Sequence, residues 1–229
     1  MSTALITGAN RGLGLEFCRQ LQSRGWTVHA CARDLADAPI VPGAVWHNLD
    51  VSDFAAIDSL ARELDGNAID LLVNNAGVAP RQSSSLTDLD YDMWRDVMNI
   101  NTLAPIKMIE AFIGHIASSE RKLIASMSSE LGSMTSTQGS GLGRSGPWLP
   151  YRVSKAALNM AHLAIGDQLT EREITAVLLH PGWVATELGG THAPMSAAAS
   201  VQALLAVLDG VTAADHGKFL SYDGRNIPW

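Results

Sequence analysis

Near its start the chain joins an apolar run to an amphipathic segment, and this junction constrains the fold more than any other feature. Ala4-Leu5-Ile6 leads directly into Thr7-Gly8-Ala9-Asn10-Arg11-Gly12-Leu13-Gly14, after which Leu13, Phe17 and Leu21 recur on one helical face. The pattern predicts strand, glycine turn, helix. Glycines at that turn allow a tight backbone path, remove the Cβ atoms that would hold an anion off, and leave helix N-terminal N–H groups facing it. The spacing, G-x-x-x-G-x-G, differs from the commonest dinucleotide fingerprint, and a glycine cluster also marks ordinary tight turns. Its position, with strand before and helix after, favours a phosphate.

The same alternation continues along the chain. Strands are expected at 3–7, 26–32, 44–48, 69–73, 122–127, 174–179 and 218–222, with helices at 12–24, from an Asp53 cap to about 65, within 88–117, from about Pro150, and at 196–209. Gly25 stops the first helix, and Pro105 falls where one helix ends and another begins. Regular βα alternation implies an α/β fold: one doubly wound parallel sheet of about seven strands, helices on both faces, ligand at the carboxyl ends of the strands. At 229 residues and 47% hydrophobic content, one domain covering 1–229 is expected.

Charge and cysteine usage exclude several classes. A net charge of −7 with no basic run argues against a nucleic-acid surface and points to small-molecule partners. Cys18 and Cys31 offer neither metal-ligand spacing nor a disulfide framework, so no metal is expected and both read as buried thiols. The first strand begins within a few residues of Met1, leaving no room for a leader, and no apolar run approaches a membrane span. A cytoplasmic protein is the expectation. Residues 132–147 are polar and glycine-rich, which predicts no regular element; such a stretch is either a lid or a tolerated insertion.

Tyr151-Arg152-Val153-Ser154-Lys155 places a phenol and an ammonium at i and i+4 on one helix face. A phenol of reference pKa about 10 is a poor acid near neutrality unless a cation stabilises its phenolate. Lys155 is placed to do so. Seen alone, the pair reads more readily as an ordinary exposed Tyr/Lys pair.

It is not alone. Thr7 to Gly14, Asn74-Asn75-Ala76-Gly77, Ser129, Tyr151 to Lys155 and Pro181-Gly182-Trp183-Val184-Ala185-Thr186 occur in the order that resembles the short-chain dehydrogenase/reductase family. Asn10 to Leu15, His180 to Trp183, and Phe219-Leu220-Ser221-Tyr222-Asp223-Gly224 with Ile227-Pro228-Trp229 resemble its carbonyl reductases of the C-factor and Sniffer type. The resemblance implies that Tyr151 donates a proton to a substrate carbonyl, Lys155 lowers its pKa and holds nicotinamide ribose, and Ser129 hydrogen-bonds the carbonyl. Ser129 fits the family's Ser-x-x-Gly better than Ser126 or Ser128. Asn101 matches the asparagine that interrupts the long helix and anchors a water beside Lys155, with Asn99 a rival. More chain separates Ser129 from Tyr151 than is usual, and the excess is the glycine-rich stretch.

By the same resemblance Gly8, Asn10, Arg11, Gly12, Leu13 and Gly14 take the pyrophosphate side, Asp50 and Val51 meet adenine, and Asn75, Ala76 and Gly77 border its ribose. Pro181, Gly182, Val184 and Thr186 close over nicotinamide. The second strand ends in Ala32 and Arg33, where an acidic residue would select NAD; Arg33, helped by Arg11, suits a 2′-phosphate. NADP, carried as NADPH, is therefore expected over NAD. Asp34 reads as the cap of the following turn.

Two readings follow: an NADPH-dependent reductase of ketones, aldehydes or quinones, or a cofactor-binding regulatory protein with vestigial catalysis. Met134, Trp148, Leu149, Trp183, Leu188 and Met195 are either pocket wall or core. Members of the family often assemble through helices near 104–117 and 150–170, so the resemblance implies a homodimer or homotetramer unless the insertion before Tyr151 blocks that contact. No Gly-x-Ser-x-Gly elbow or His-Glu-x-x-His pair supports a hydrolase.

Overall fold

The apolar runs form strands β1 (Thr3–Thr7), β2 (Thr27–Ala32), β3 (Ala44–Asn48), β4 (Leu71–Asn74), β5 (Leu123–Met127), β6 (Thr175–His180) and β7 (Phe219–Ser221). They pair in the order β3-β2-β1-β4-β5-β6-β7, every pairing parallel. The computed structural model describes residues 2–36, 38–39, 41–80, 87–139 and 148–229. The helices are α1 (Gly12–Ser23), α2 (Phe54–Glu63), α3 (Tyr91–Met98), α4 (Ala104–Ala117), α5 (Met134–Gly139), α6 (Leu149–Ala164), α7 (Gly166–Thr170) and α8 (Ala197–Gly210). No described helix is long and apolar enough to cross a membrane.

Strand alternation divides the core into two layers. Ala4, Ile6, Val73, Ala125 and Leu179 face Phe17 and Leu21 of α1 and Leu204, Leu205 and Leu208 of α8. Leu5, Leu72, Ile124 and Ala176 pack instead with Ile57 of α2 and Met108, Phe112 and Ile116 of α4. Each fully buried Leu, Ile or Phe contributes about 1.5–3 kcal/mol of transfer free energy. The helices are thereby held firmly on both faces of the sheet. Cys18 and Cys31 are buried free thiols in these layers, and burial pushes the Cys18 thiol up to about 12.

Local signals set the helix ends. Asp53 accepts hydrogen bonds from the N–H groups of Ala55 and Ala56 at 3.0 and 3.1 Å, and Asp34 accepts from Ala36 N–H at 2.9 Å. Gly25 follows α1 at φ +81°. Pro105 lies in the first turn of α4, where a new helix was expected to begin. The junction itself is a five-residue π turn, Asn99–Leu103, that joins α3 to α4 without a gap, with Ala104 N–H bonded back to the Asn99 carbonyl. Such widened turns cluster at functional sites, and Pro105, lacking an N–H, fits directly after one.

One expectation fails, at 132–147. A 3-10 turn over Glu130–Gly132 is followed directly by helix α5. Ser133 caps it, its hydroxyl accepting from Ser136 N–H at 3.0 Å. Residues 140–147, the rest of the expected loop, lie outside the described residues.

The chain adds β2 and β3 on one side of β1, then crosses to begin β4 on the other. That reversal opens a crevice beyond the carboxyl ends of β1 and β4, the usual ligand position in such sheets.

Candidate active site

On the β1 side the crevice is built from main chain. Gly8 sits at φ +64°, and a Cβ there would come within 2.9 Å of Ala76 Cα; one at Gly14 would lie 2.2 Å from the Gly8 carbonyl oxygen. The cradle exists only because these side chains are absent. The Thr7 hydroxyl accepts from the N–H groups of Asn75 and Ala76, both at 3.0 Å. Asn75 Nδ2 donates to the carbonyls of Thr7 and Gly8 at 2.9 and 3.1 Å, and Ala9 N–H reaches the Cys31 carbonyl at 2.9 Å. Asn10, Arg11, Gly12 and Leu13 follow, at least partly exposed, into the first turn of α1. These residues fit a dinucleotide's phosphates: an open turn, a helix N-terminus, and no Cβ in the way.

Around it lie the remaining predicted contacts. Ala32 is buried and Arg33 exposed at the end of β2, while Asp50 and Val51 follow β3. Burial tends to raise the Asp50 carboxyl, but hydrogen bonds from Ser52 and the nearby Arg33 charge outweigh it and hold the group below the usual range. The segment after β6 stands opposite: Ser200 Oγ donates to the Pro181 carbonyl at 2.7 Å, and the Thr186 hydroxyl accepts from Gly189 N–H at 3.1 Å. Arg11 reaches across to Glu187 at 2.9 Å, an exposed pair bridging the glycine turn and this segment. Val184 is buried there, and Gly182 lies beside Tyr222.

On the β5 side the crevice is built from side chains of α6. Tyr151 and Lys155, 7% and 4% exposed, point inward one turn apart. The Ser129 side chain lies near enough to the Tyr151 hydroxyl to favour its charged form, and Ser129 Oγ accepts from Leu131 N–H at 3.2 Å. Lys155 Nζ donates to the Met127 carbonyl at 2.7 Å and lies 5.6 Å from the Tyr151 ring centroid. Trp148 sets its ring edge against Tyr151 at 5.8 Å.

The three serines separate by partner. Ser126 Oγ accepts from Asn74 Nδ2 at 3.1 Å and pairs with His162 Nε2 at 2.8 Å; Ser128 Oγ donates to Asn159 Oδ1 at 2.6 Å. Of the three, it is Ser129 that meets Tyr151. Asn159 and His162 extend the inward face of α6 beyond Lys155. Sequence reading missed both, although the i+4 and i+7 spacing from Lys155 was there to be used.

The expected depression of the Tyr151 pKa is not found. Burial pushes the phenol up to about 12, opposed by the Ser129 side chain, and lowers Lys155 to about 8. Both side chains have lost solvent, and the ammonium rests on a carbonyl and over the ring rather than at the phenol oxygen. The phenol is therefore protonated at neutral pH, the form a proton donor requires.

Asn101, fully buried in the π turn, accepts from Val78 N–H at 2.8 Å and donates to the Val78 carbonyl at 2.8 Å and Ser154 Oγ at 3.0 Å. Its side chain thus clamps the segment following Gly77 to α6. A Cβ at Gly77 would sit 3.4 Å from Asn101 Oδ1 and 3.7 Å from Lys155 Nζ, so the two groups flank one point. Asn99 contributes the carbonyl that closes the π turn. Met134, Leu149, Trp183 and Leu188 are exposed and Trp148 and Met195 partly so; none is core. Among the described residues no cluster of three or more His, Cys, Asp or Glu side chains is placed to hold a metal.

A short chain dehydrogenase family model matches residues 2–196. The chain is 35% identical to the C-signal of Myxococcus xanthus over 161 residues, 70% of this chain and 93% of that protein. It is 33% identical to 1-hydroxy-2-glutathionyl-2-methyl-3-butene dehydrogenase of Rhodococcus sp. (strain AD45) over the full length of both. The NADPH-bound carbonyl reductase from chicken fatty liver superposes with a TM-score of 0.89 at 30% identity, covering 100% of this chain and 99% of that one. Motif order, sheet order, buried Tyr/Lys pair and whole-length likeness agree: the chain belongs to the short-chain dehydrogenase family.

Proposed function

We propose that the protein is an NADPH-dependent reductase of small carbonyl compounds, with Tyr151 as proton donor. The observation that carries this reading is the buried register of Ser129, Tyr151 and Lys155 beside a glycine turn stripped of Cβ atoms. NADPH supplies the hydride when bound. Tyr151 gives its proton to the substrate oxygen, and Ser129 Oγ donates a hydrogen bond to the same atom, stabilising the charge that develops there. Lys155 holds positive charge behind the phenol as it turns to phenolate, and its Nζ is also the group assigned to the ribose hydroxyls. Asn101 keeps Val78 and Ser154 in register, which fixes the loop that backs onto Lys155.

Cofactor choice follows from charge. Ala32 presents no carboxylate at the end of β2, while Arg33 and Arg11 supply exposed guanidiniums on the glycine-turn side. A planar fork suits a 2′-phosphate. The NADPH bound by the chicken carbonyl reductase supports the same choice here. A regulatory protein that only sensed cofactor has no use for a phenol buried against Ser129. Loss of NADPH absorbance with a panel of ketones, aldehydes and quinones tests the proposal; no turnover with any of them, together with tight NADPH binding, overturns it in favour of the sensing role.

A further inference from the structure

One sequence motif has no part in the chemistry described so far: Phe219-Leu220-Ser221-Tyr222-Asp223-Gly224 through Ile227-Pro228-Trp229. After β7 the chain turns through Tyr222–Arg225, with Gly224 N–H on the Ser221 carbonyl at 2.9 Å and Ser221 N–H on the Arg225 carbonyl at 2.8 Å. It then runs back along the free edge of β7, Ile227 N–H meeting the Phe219 carbonyl at 2.7 Å. Ile227 is buried with Leu158, Leu178 and Phe219. The Trp229 ring stacks on Phe219 with centroids 5.8 Å apart and planes 24° apart.

From that anchorage Pro228 and Trp229 reach the active-site wall. Ser133 Oγ donates to the Pro228 carbonyl at 2.6 Å, and Thr135 offers its N–H at 3.0 Å and its hydroxyl at 2.5 Å to the Trp229 carbonyl oxygen. Ser133 is 1% exposed and is also the cap of α5. On its other side the same segment lies tight against α6: a Cβ at Gly132 would fall 2.8 Å from the Lys155 carbonyl carbon. Glu130 ties it to β6 through its N–H on His180 Nδ1 at 3.3 Å. The stretch from Ser129 to Thr135 is therefore held between the helix carrying Tyr151 and Lys155 and the strap Ile227–Trp229. Met134, 63% exposed, sits between the two strapped residues.

We propose that the Pro228–Trp229 strap is a positioning element for the carbonyl substrate: it fixes the wall running from Ser129 to α5 and so sets how that wall meets the reacting oxygen. Among the described residues, the strap's hydrogen bonds and ring contact go to Phe219, Ser133 and Thr135, not to the glycine turn. Its effect falls on the carbonyl side and not on the dinucleotide. This inference rests on the carbonyl-reductase reading, and its test has an arm that does not.

Four forms are compared: wild type, a chain lacking Pro228 and Trp229, Ser133→Ala, and Trp229→Phe. Amide hydrogen exchange over 131–139 needs no substrate. It is expected to quicken at least tenfold in the shortened chain and in Ser133→Ala, to stay near wild type in Trp229→Phe, and to leave α4 unchanged. With menadione as the carbonyl probe, kcat/KM should drop about tenfold in the first two variants, since small misplacements of a positioning group are costly. The NADPH Kd should change less than twofold. Unchanged exchange over 131–139 in Ser133→Ala overturns the strap, as does an NADPH Kd that weakens by the same factor as kcat/KM. If wild type fails to reduce menadione or any other carbonyl, the functional reading falls, and exchange alone decides whether the strap holds the wall.

Discussion

On the β1–β4 side of the crevice the groups aimed at a ligand are main chain, and side chains such as Thr7 and Asn75 act from behind to hold carbonyls and N–H groups in place. On the β5–α6 side the relation is inverted. There the groups proposed to react are the side chains of Tyr151, Lys155 and Ser129, and main chain, the Met127 carbonyl above all, supports them. Backbone placed by missing Cβ atoms suits a cofactor whose phosphates present the same geometry in every turnover. Buried titratable side chains suit a step in which protonation must change. The contrast predicts that substitutions on the first side alter binding and stability, and those on the second alter rate.

The largest effect should come from Tyr151→Phe, which removes the proton and little contact area. A reduction in kcat of about 10²- to 10⁴-fold is expected, with NADPH affinity within twofold of wild type. Equal loss of both would erase the distinction between the two sides. Lys155→Ala belongs to both and should impair rate and NADPH affinity together.

Lys155 also gives the contrast a pH signature. Burial lowers it to about 8, so the reduction rate should hold below that pH and decline above it as the ammonium is lost. Lys155→Arg, slower but permanently charged, should show no such decline; a decline that persists assigns the titration elsewhere. The same shift acts on stability with definite sign. Between about 8 and the ordinary value of 10.5 the unfolded chain binds more protons at this residue than the folded one, so its contribution rises with pH across that window. Chemical denaturation of wild type and Lys155→Met through that range reads the difference.

On the first side, replacing Ala32 with Asp and Arg33 with Ala should move the NADPH-to-NADH ratio of kcat/KM about 10- to 100-fold toward NADH. A hydrogen bond to a charged group contributes roughly 1.5–3 kcal/mol, and the new carboxylate adds repulsion. An unchanged ratio places the phosphate on Arg11. Asn75→Ala should reach the turn itself, leaving the carbonyls of Thr7 and Gly8 without their donor and costing about 1–3 kcal/mol of stability, measured by urea unfolding.

The two sides also differed in how much could be read from sequence. Glycine spacing between a strand and a helix reports main-chain geometry almost directly, so the turn at Gly8–Gly14 and the parallel sheet were legible. The pairing of Tyr151 with Lys155 was legible from helical spacing, yet the direction of the Tyr151 pKa was not. That direction depends on how completely packing strips water from the phenol, a property of the assembled fold. Helix α5 was hidden for a related reason: Ser133 to Gly139 has no apolar period, and the helix is held by the Ser133 cap and by hydrogen bonds that Ser133 and Thr135 donate to the carbonyls of Pro228 and Trp229, residues almost a hundred positions away in sequence. The clamp made by Asn101 lies in between, since the position could be named but its partners Val78 and Ser154 could not.

The smallest effect tests the point where the two loops of the crevice meet. Arg11 and Glu187 form a 2.9 Å pair with side chains 66% and 56% exposed, and pairs so open to solvent contribute little to stability because water and salt screen them. Glu187→Gln should therefore leave the melting temperature almost unchanged. Its effect should fall on the cofactor: with its carboxylate partner removed, Arg11 is free to turn toward a 2′-phosphate, and the NADPH Kd should tighten about two- to threefold while the NADH Kd stays as it was. Raising salt should erase the gain, since it is carried by exposed charge. Equal tightening for both cofactors would mean instead that the pair holds the Thr186–Glu187 segment across the crevice, and that breaking it opens the way in for either dinucleotide.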